Sequence, residues 1–383
     1  MEAWAGALGG TPPIAVAVSG GSDSVALLML VNDWARRRGA ALHILTVDHR
    51  LRPESGAEAA GVCALASELG WPSHVLTWDT PSGNAHAARM ARHRLLAGAC
   101  QRLGTKHLFL GHTRDDQAET FLMRARQGSG WFGLGGMDCL SPSPAWPEGE
   151  GLTLARPLLD QRRASLRRHM ERRGIGWADD PSNCNSNYER VRVRRRLAAC
   201  PSMRASVDRV VEQFGRLRRA ELLALADALE TRTRCHSDAS LDLWLDGLGA
   251  ERAVRLMGWL VQAVGGHARP PRRSALRAAH RALTIEAAPA RTLAGAWIVR
   301  VQPGQLSFYR DPGCAGQTER TGPYFDGRFR RAREAPAIAP RNGRASAALP
   351  VNSDAGWAEM TGPRLAHLRS IWRHLPTVSQ VSS

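Results

Sequence analysis

The chain has 383 residues, of which 43% are hydrophobic, enough for a large core and for two or three domains. No stretch is long and apolar enough for a transmembrane helix and no signal-peptide pattern is evident, so we expect a cytoplasmic protein with no membrane partner. The seven cysteines are scattered without a CxxC pair. This argues against a zinc site, a redox pair or an iron–sulfur cluster and predicts free thiols.

The formal net charge is +17, and Lys106 is the only lysine, so nearly all of the positive charge is arginine. Arginines cluster at residues 162–163, 167–168, 172–173 and 192–196. A surface this basic attracts polyanions, which makes nucleic acid the predicted partner. The alternative is a set of solvated helix faces without a bound polyanion.

The first half of the sequence alternates short apolar runs with segments of helical periodicity. We predict strands at residues 14–18, 42–47, 73–76 and 107–110, and helices at 25–37, 58–69, 85–103 and 114–126. This order is typical of a parallel α/β sheet, whose ligands bind at the carboxyl ends of the strands. Residues 141–151 are rich in Pro, Gly and Ser and are predicted to form an exposed loop.

After Pro201 the apolar spacing becomes helical, through Leu229 and again over residues 241–264. A Pro303-Gly304 turn predicts a hairpin within residues 291–309. The predicted fold class is therefore α/β, a Rossmann-like parallel sheet followed by a mainly helical C-terminal domain. The predicted domains are an α/β domain at 1–203, a helical domain at 204–285 that we expect to bind the nucleic acid, and a small C-terminal region at 286–383 whose last part, from residue 313, is left unassigned.

The stretch SGGSDS follows the first predicted strand and opens the first predicted helix. Its glycines allow positive φ and a close approach of the backbone to a ligand, and the helix N-terminus favours an anion. The loop lacks the lysine of a Walker A motif and the glycine spacing of a dinucleotide fingerprint. An alternative is a Gly-Ser turn in which Ser24 caps the helix.

Asp23 would repel a phosphate unless a divalent cation lies between the two groups, so the loop predicts a Mg²⁺-bound polyphosphate. A second stretch, GHTRDDQAETFLMRARQGSGWFGLGGM, begins at Gly111. Asp116 and Glu119 are three residues apart in its predicted helix and share one face, where they could share a cation or hold an ammonium group. The alternative is the ordinary preference of acidic residues for a helix N-terminus.

Together these stretches resemble the N-type ATP pyrophosphatases (the PP-loop superfamily), and within them the tRNA(Ile)-lysidine synthases. The resemblance continues, in order, through VDHRLRPES (47–55), GNAHAARMARHRLL (83–96), RPLL (156–159), DDPSN (179–183) and YERVRVR (188–194). The chain departs from many members of that family at His93, Thr113 and Gln127.

The resemblance implies an ATP-dependent carbon–nitrogen ligase that adenylates the wobble cytidine of an isoleucine tRNA with a CAU anticodon and then joins free L-lysine to it, giving lysidine, AMP and diphosphate. It implies ATP and Mg²⁺ as cofactors. ATP would be held by Ser19, Gly20, Gly21, Ser22, Asp23 and Ser24.

By the same resemblance, Asp23 is the metal ligand. His112 would lie near the activated base or the nucleotide, and Arg190 and Arg194 would neutralise phosphate charge in the transition state. Asp116 and Glu119 would supply negative charge for the lysine. The oligomeric state is left open, a homodimer included.

Three other interpretations are weighed against this one. A tRNA cytidine thiolase of the same superfamily relies on CxxC cysteines, and a glutamine-dependent synthetase needs an N-terminal nucleophilic cysteine, neither of which is present. A non-catalytic RNA-binding relative would not need Asp23, Asp116 and Glu119.

Overall fold

The computed structural model describes residues 13–50, 54–79, 85–178, 185–236, 239–267 and 270–314, and three short strands between 324 and 359. The DDPSN motif (179–183) lies outside the described residues, and so does most of the region after 314. The same applies to residues 51–53 of the VDHRLRPES motif and residues 83–84 of the GNAHAARMARHRLL motif. The described chain forms two compact units. The first contains the residues up to Ser143 and Gly151–Glu221, and the second contains Pro144–Glu150 and the residues from Leu222 onward.

The first unit is built on a six-stranded sheet. Its strands are β1 (Ile14–Ala17), β2 (Leu42–Asp48), β3 (Ser73–Thr77), β4 (His107–Leu110), β5 (Leu140–Pro142) and β6 (Thr153–Ala155). They lie in the order β3-β2-β1-β4-β6-β5, and all neighbours are parallel except β5 and β6.

The helices of this unit follow the strands along the chain. They are α1 (Ser22–Arg38), α2 (Ser55–Glu68), α3 (Ala85–Arg102), α4 (Arg114–Arg126), α5 (Trp131–Leu134), α6 (Arg163–Arg172), α7 (Glu189–Ala199) and α8 (Pro201–Thr231), whose last residues are counted in the second unit. The α/β fold predicted from the alternation of elements is confirmed.

The central strand β1 is buried on both faces. Ile14 and Val16 have no exposed surface, and Leu27 and Leu28 of α1 are equally buried. A parallel strand covered on both faces needs a continuous apolar run, which is the pattern of the sequence IAVAV.

The order of the strands reverses at β1, which has β2 on one side and β4 on the other. In open parallel sheets ligands bind outside the carboxyl ends of the strands at such a switch point. The SGGSDS loop follows β1, and Gly111 and His112 follow β4. The topology therefore brings the two informative stretches of sequence to one edge of the sheet.

The loop predicted at residues 141–151 is not the exposed loop that its composition indicates. Its first residues belong to β5, and Ala145 and Trp146 are buried. A large aromatic side chain buries apolar surface even within a turn-rich segment, which composition alone does not reveal.

The second unit combines helices with an antiparallel sheet. Its elements are β7 (Thr233–Cys235), β8 (Leu241–Trp244), α9 (Ala250–Gly265), α10 (Arg273–Thr284), β9 (Ala290–Leu293), β10 (Ala296–Gln302) and β11 (Gln305–Arg310), with the short strands β12 (Tyr324–Phe325), β13 (Phe329–Arg331) and β14 (Trp357–Glu359). The strands β7 to β11 lie in the order β7-β8-β11-β10-β9. None of the helices described in either unit has the length and apolar character that crossing a membrane requires.

The predicted hairpin is confirmed as β10 and β11, which pair on either side of the Pro303-Gly304 turn. The helix predicted from residue 241 is wrong in its first part, since residues 241–244 form β8. Leu241 and Leu243 are fully buried and alternate with less buried neighbours, and this period of two is typical of a strand.

Candidate active site

The SGGSDS loop adopts the tight turn that its glycines predict. Gly20 has φ of 84°, in the region that favours glycine. The Ser24 hydroxyl accepts a hydrogen bond from the Ser19 amide at 3.1 Å and donates one to the Gly21 carbonyl at 2.9 Å. These bonds tie the two ends of the loop together.

Helix α1 begins at Ser22 and its N-cap is Gly21, which has no side chain to cap the helix. Ser24 is therefore inside the first turn and is not the cap that the alternative interpretation requires. The amides of Ser22 and Asp23 make no hydrogen bond with any other described residue. Such amides at the positive end of a helix are well suited to bind an anion.

The loop after β4 approaches this helix very closely. A Cβ on Gly111 would lie 2.9 Å from the carbonyl oxygen of Asp23, a distance that real side chains essentially never show. Any other residue at 111 would push the β4–α4 loop away from the first turn of α1. Gly111 thus lets the acidic end of α4 stand beside the SGGSDS loop.

Helix α4 begins with a complete capping box. The Thr113 amide and hydroxyl donate to Asp116 Oδ2 at 2.8 and 2.9 Å, and the Asp116 amide donates back to the Thr113 hydroxyl at 3.4 Å. One oxygen of Asp116 therefore stabilises the helix, and the other, Oδ1, faces the site. The preference of acids for a helix N-terminus therefore applies to Asp116, and it leaves Oδ1 available to other partners.

Three carboxylates and three guanidinium groups meet in one cluster, which we call the acid–arginine cluster: Asp23, Asp116, Glu119, Arg163, Arg190 and Arg194. Arg163 joins all three carboxylates, at 2.7 Å to Asp23, 3.0 Å to Asp116 and 3.4 Å to Glu119. The three negative and three positive formal charges of the cluster cancel. The free-energy cost of burying these charged groups together is therefore lower than the cost of burying any of them alone.

Arg190 and Arg194 reach the cluster from α7. Arg190 donates to Glu119 Oε2 at 2.6 Å and to Asp116 Oδ1 at 2.8 Å, and Arg194 donates to Glu119 Oε1 at 2.8 Å. Glu119 is 1% exposed, and both of its oxygens are engaged. It is therefore positioned to hold the two arginines of α7, which the resemblance assigns to phosphate charge.

The pKa values of the acids differ because their surroundings differ. Burial raises the pKa of Asp23, and Arg163 offsets this only in part. Burial also opposes ionisation of Asp116, but the guanidinium groups of Arg190 and Arg163 outweigh it and lower its pKa. Asp116 is thus more firmly ionised than Asp23.

His112 lies beside the cluster and is neutral. Burial, then the charge of Arg156, lowers its pKa to about 3, although Asp116 acts in the opposite direction. Burial and nearby arginines likewise lower the pKa of His93 to about 3. At neutral pH each imidazole can offer one N–H donor and one nitrogen acceptor to a polar ligand.

All the predicted site residues thus lie around one edge of the sheet, and the sequence-based reasoning missed two more. The sequence alone groups Arg163 and Arg167 with the basic surface, but Arg163 connects the cluster and Arg167 donates to the Ser22 hydroxyl at 3.1 Å. The available signal was RPLLDQRR, in which the matched RPLL motif continues directly into a helix that begins with arginine.

The donor set allows Mg²⁺ beside the loop but does not form a protein cage for it. No group of three His, Cys, Asp or Glu residues that could hold a metal is found in the described part of the chain. Mg²⁺ commonly uses one or two carboxylates with water and phosphate oxygens. Among the described residues Asp23 Oδ1 has one partner, the Ser22 hydroxyl at 3.4 Å, so this oxygen can serve as one such ligand.

Comparison with known proteins agrees with this geometry. A family model described as a PP-loop domain matches residues 9–200. A tRNA(Ile)-lysidine synthase of Hyphomonas neptunium is 47% identical over 72% of this chain and 77% of its own length. The chain belongs to the tRNA(Ile)-lysidine synthase family.

Other tRNA(Ile)-lysidine synthases match over a similar extent. The enzyme of Rhodopseudomonas palustris is 40% identical over 72% of this chain and 82% of its own length. Among solved structures, the U34-tRNA thiolase NcsA from Methanococcus maripaludis aligns with a TM-score of 0.45 and 18% identity, over 57% of this chain and 76% of its own.

Proposed function

We propose that the chain is an ATP-dependent ligase that converts the wobble cytidine of an isoleucine tRNA with a CAU anticodon into lysidine. The observation that carries the proposal is the acid–arginine cluster beside the SGGSDS loop, in a chain of the lysidine synthase family. The carbonyl oxygen of cytosine is a poor leaving group, so the base must be adenylated before an amine can replace that oxygen.

The SGGSDS loop is proposed to bind the phosphates of ATP. Residues 19–24 contribute the hydroxyls of three serines, and the amides of Ser22 and Asp23 lie at the N-terminus of α1. Asp23 is proposed to hold Mg²⁺ against these phosphates, and the ion would supply charge neutralisation for the departing diphosphate. Neutral His112 is proposed to orient the base or the nucleotide by hydrogen bonding.

The arginines are proposed to exchange partners during the reaction. In the structure Arg163 and Arg190 are paired with Asp116. Phosphate oxygens are strong acceptors for a guanidinium fork, so ATP can draw these arginines away and leave Asp116 to receive the α-ammonium group of lysine, whose uncharged ε-amine attacks the adenylated base. Glu119 would keep Arg190 and Arg194 within reach of the phosphates.

The regions after the catalytic domain are proposed to contribute to tRNA binding. This applies to the helical domain at 204–285, with 286–383 as a small C-terminal region. Arginines on exposed helix faces, such as Arg209 and Arg216, are suited to phosphate contacts. We infer a cytoplasmic location, where tRNA, lysine and ATP are present together.

The direct test is nucleoside analysis of the CAU-anticodon isoleucine tRNA after incubation with the protein, lysine and Mg-ATP. We expect lysidine, together with AMP and diphosphate, and no product on a tRNA whose wobble cytidine is replaced by uridine. Omission of lysine should leave adenylated tRNA. A thiolated cytidine would indicate the thiolase chemistry instead, and bound but unmodified tRNA would indicate a non-catalytic relative.

A further inference from the structure

A second group of charged side chains joins the N-termini of α4 and α6 to α8. We call it the junction cluster: Asp115, Asp208, Arg114, Arg162 and Arg204. Arg162 pairs with Asp208 and, at 3.9 Å, with Asp115. Arg204 also pairs with Asp115, and Arg114 pairs with Asp208 at 3.7 Å. Each of the two acids therefore has two arginine partners.

The two acids of the junction cluster have similar surroundings but differ in one bond. Both are 7% exposed. Asp115 Oδ2 accepts a hydrogen bond from the backbone amide of Arg163 at 2.8 Å. Within the described part of the chain, Asp208 accepts no bond from a backbone amide. Asp115 is therefore the acid of this pair that holds the backbone of another helix.

Helix α6 depends on this bond because its own N-cap residue does not cap it. The N-cap is Arg162, and its side chain makes no capping bond. The first amides of a helix have no partner within the helix, and a carboxylate is favoured there. Asp115 supplies this carboxylate from α4, and the Arg114 amide donates in the opposite direction to the Gln161 carbonyl at 2.9 Å. These two bonds fix the start of α6 against the start of α4.

The backbone that Asp115 holds belongs to the arginine that joins the carboxylates of the acid–arginine cluster. In the proposed reaction the guanidinium group of Arg163 leaves Asp116 for a phosphate oxygen. Its ion pairs therefore cannot keep Arg163 in place throughout the reaction. The bond from Asp115 is to the amide, and an exchange of partners by the side chain does not break it.

We propose that Asp115 is a positioning residue, which holds the backbone of Arg163 while the guanidinium group moves from Asp116 to the phosphates of ATP. Asp115 itself contacts neither the nucleotide nor lysine. Its effect on the reaction is through Arg163, because a small displacement of a group that stabilises the transition state is costly. This role rests on the proposed function, since it takes adenylation as the step that Arg163 serves.

The first test compares Asp115→Ala and Asp115→Asn in single-turnover adenylation of the CAU-anticodon tRNA, without lysine and at saturating Mg-ATP. Asp115→Ala should slow adenylation by up to about 100-fold, the cost of a displacement of about 1 Å. Asp115→Asn should retain more of the rate, because its carbonyl oxygen can still accept from the Arg163 amide. The KM for lysine should not rise, since the capping box of Thr113 holds Asp116 without Asp115.

Asp208→Asn is the matched control. It removes the same charge at the same burial and leaves the bond between Asp115 and the Arg163 amide intact. Its Tm should fall about as far as that of Asp115→Asn, but its adenylation rate at saturating tRNA should stay close to the parent rate. Rates are compared per folded protein, as measured by circular dichroism.

An equal loss of rate in Asp115→Asn and Asp208→Asn would assign Asp115 a purely structural role and overturn the proposal. An adenylation rate of Asp115→Asn equal to that of the parent would overturn it as well. If Asp115→Ala does not fold, the comparison of the two asparagine variants decides.

A double-mutant cycle with Arg163→Gln tests whether Asp115 acts through Arg163. The measured quantity is the affinity for a non-hydrolysable ATP analogue with Mg²⁺. Asp115→Asn should weaken this affinity in the parent and have no further effect in the Arg163→Gln background, because residues that act as a unit are not additive. Additive losses would show that Asp115 acts independently of Arg163.

The outcomes separate this role from the proposed function. A parent protein that makes no adenylated tRNA contradicts the function, and the cycle on nucleotide affinity still tests the link between Asp115 and Arg163. A parent that makes lysidine, with Asp115→Asn indistinguishable from Asp208→Asn, contradicts only the positioning role.

Discussion

Replacement of Glu119 by glutamine should destabilise the first unit severely. Glu119 is 1% exposed and accepts from Arg190, Arg194 and Arg163. Glutamine keeps the shape but removes the charge, and it places an amide N–H₂ against guanidinium donors. The cluster then has three cations and two anions, so one buried positive charge is uncompensated.

The size of the effect follows from the geometry. Loss of one partner from a buried ion pair costs about 3–5 kcal/mol, and the lower end applies because the arginines are partly solvent-exposed. At about 3 kcal/mol, the Tm of a unit of this size should fall by about 6–12 °C. Calorimetry or circular dichroism on the purified chain measures this.

Asp33→Asn is the matched control. Asp33 and Arg173 form an ion pair at 3.2 Å in which both side chains are more than one-third exposed, so its loss should cost less than about 1 kcal/mol. A fall in Tm for Glu119→Gln no larger than for Asp33→Asn would refute the reasoning, because Glu119 would not then be required to balance the buried arginines.

Three further predictions follow from the site. Asp23→Ala should abolish lysidine formation with a much smaller fall in Tm than Glu119→Gln, since Asp23 is 18% exposed and pairs with Arg163 alone among the described residues, burial already opposes its charge, and Arg163 keeps Asp116 and Glu119 as partners; activity at the parent rate would exclude Asp23 as the metal ligand. Asp116→Asn should raise the KM for lysine by about 10- to 150-fold, from about 1.5–3 kcal/mol of lost charge-assisted bonding, while adenylation of tRNA without lysine is affected less; a normal KM with failed adenylation would place Asp116 at the metal and ATP site. His93 should make the fold acid-sensitive, because its pKa is about 3 in the folded state and 6.5 for the free side chain. Between these two pH values the unfolded state binds more protons than the folded state. The free energy of unfolding therefore decreases as pH falls below 6.5, by roughly 1.4 kcal/mol per pH unit. His93→Gln should therefore show a smaller drop in Tm between about pH 7 and 5 than the parent, and equal drops would contradict the buried neutral imidazole.

The chain's own sequence determined the local structure and the class of chemistry. The strand, glycine loop and helix around SGGSDS depend on residues that are neighbours in sequence, and so does the alternation that indicates a parallel sheet. For the same reason the positions of Asp116 and Glu119 on one helix face could be predicted. The error at residues 241–244 has a local cause as well, because a short apolar run fits both a strand and a helix.

Only the tertiary structure decided which charges meet. Arg163 and Asp23 are 140 residues apart, and Arg190 and Glu119 are 71 apart. In a chain with so many arginines, the residue type alone does not distinguish the guanidinium group that joins three carboxylates from one on a solvated helix face. The reversal of strand order at β1 and the close contact of the β4–α4 loop with α1 at Gly111 determine which arginine meets the carboxylates. Strong ion pairs form only where the packing of distant segments buries both partners together.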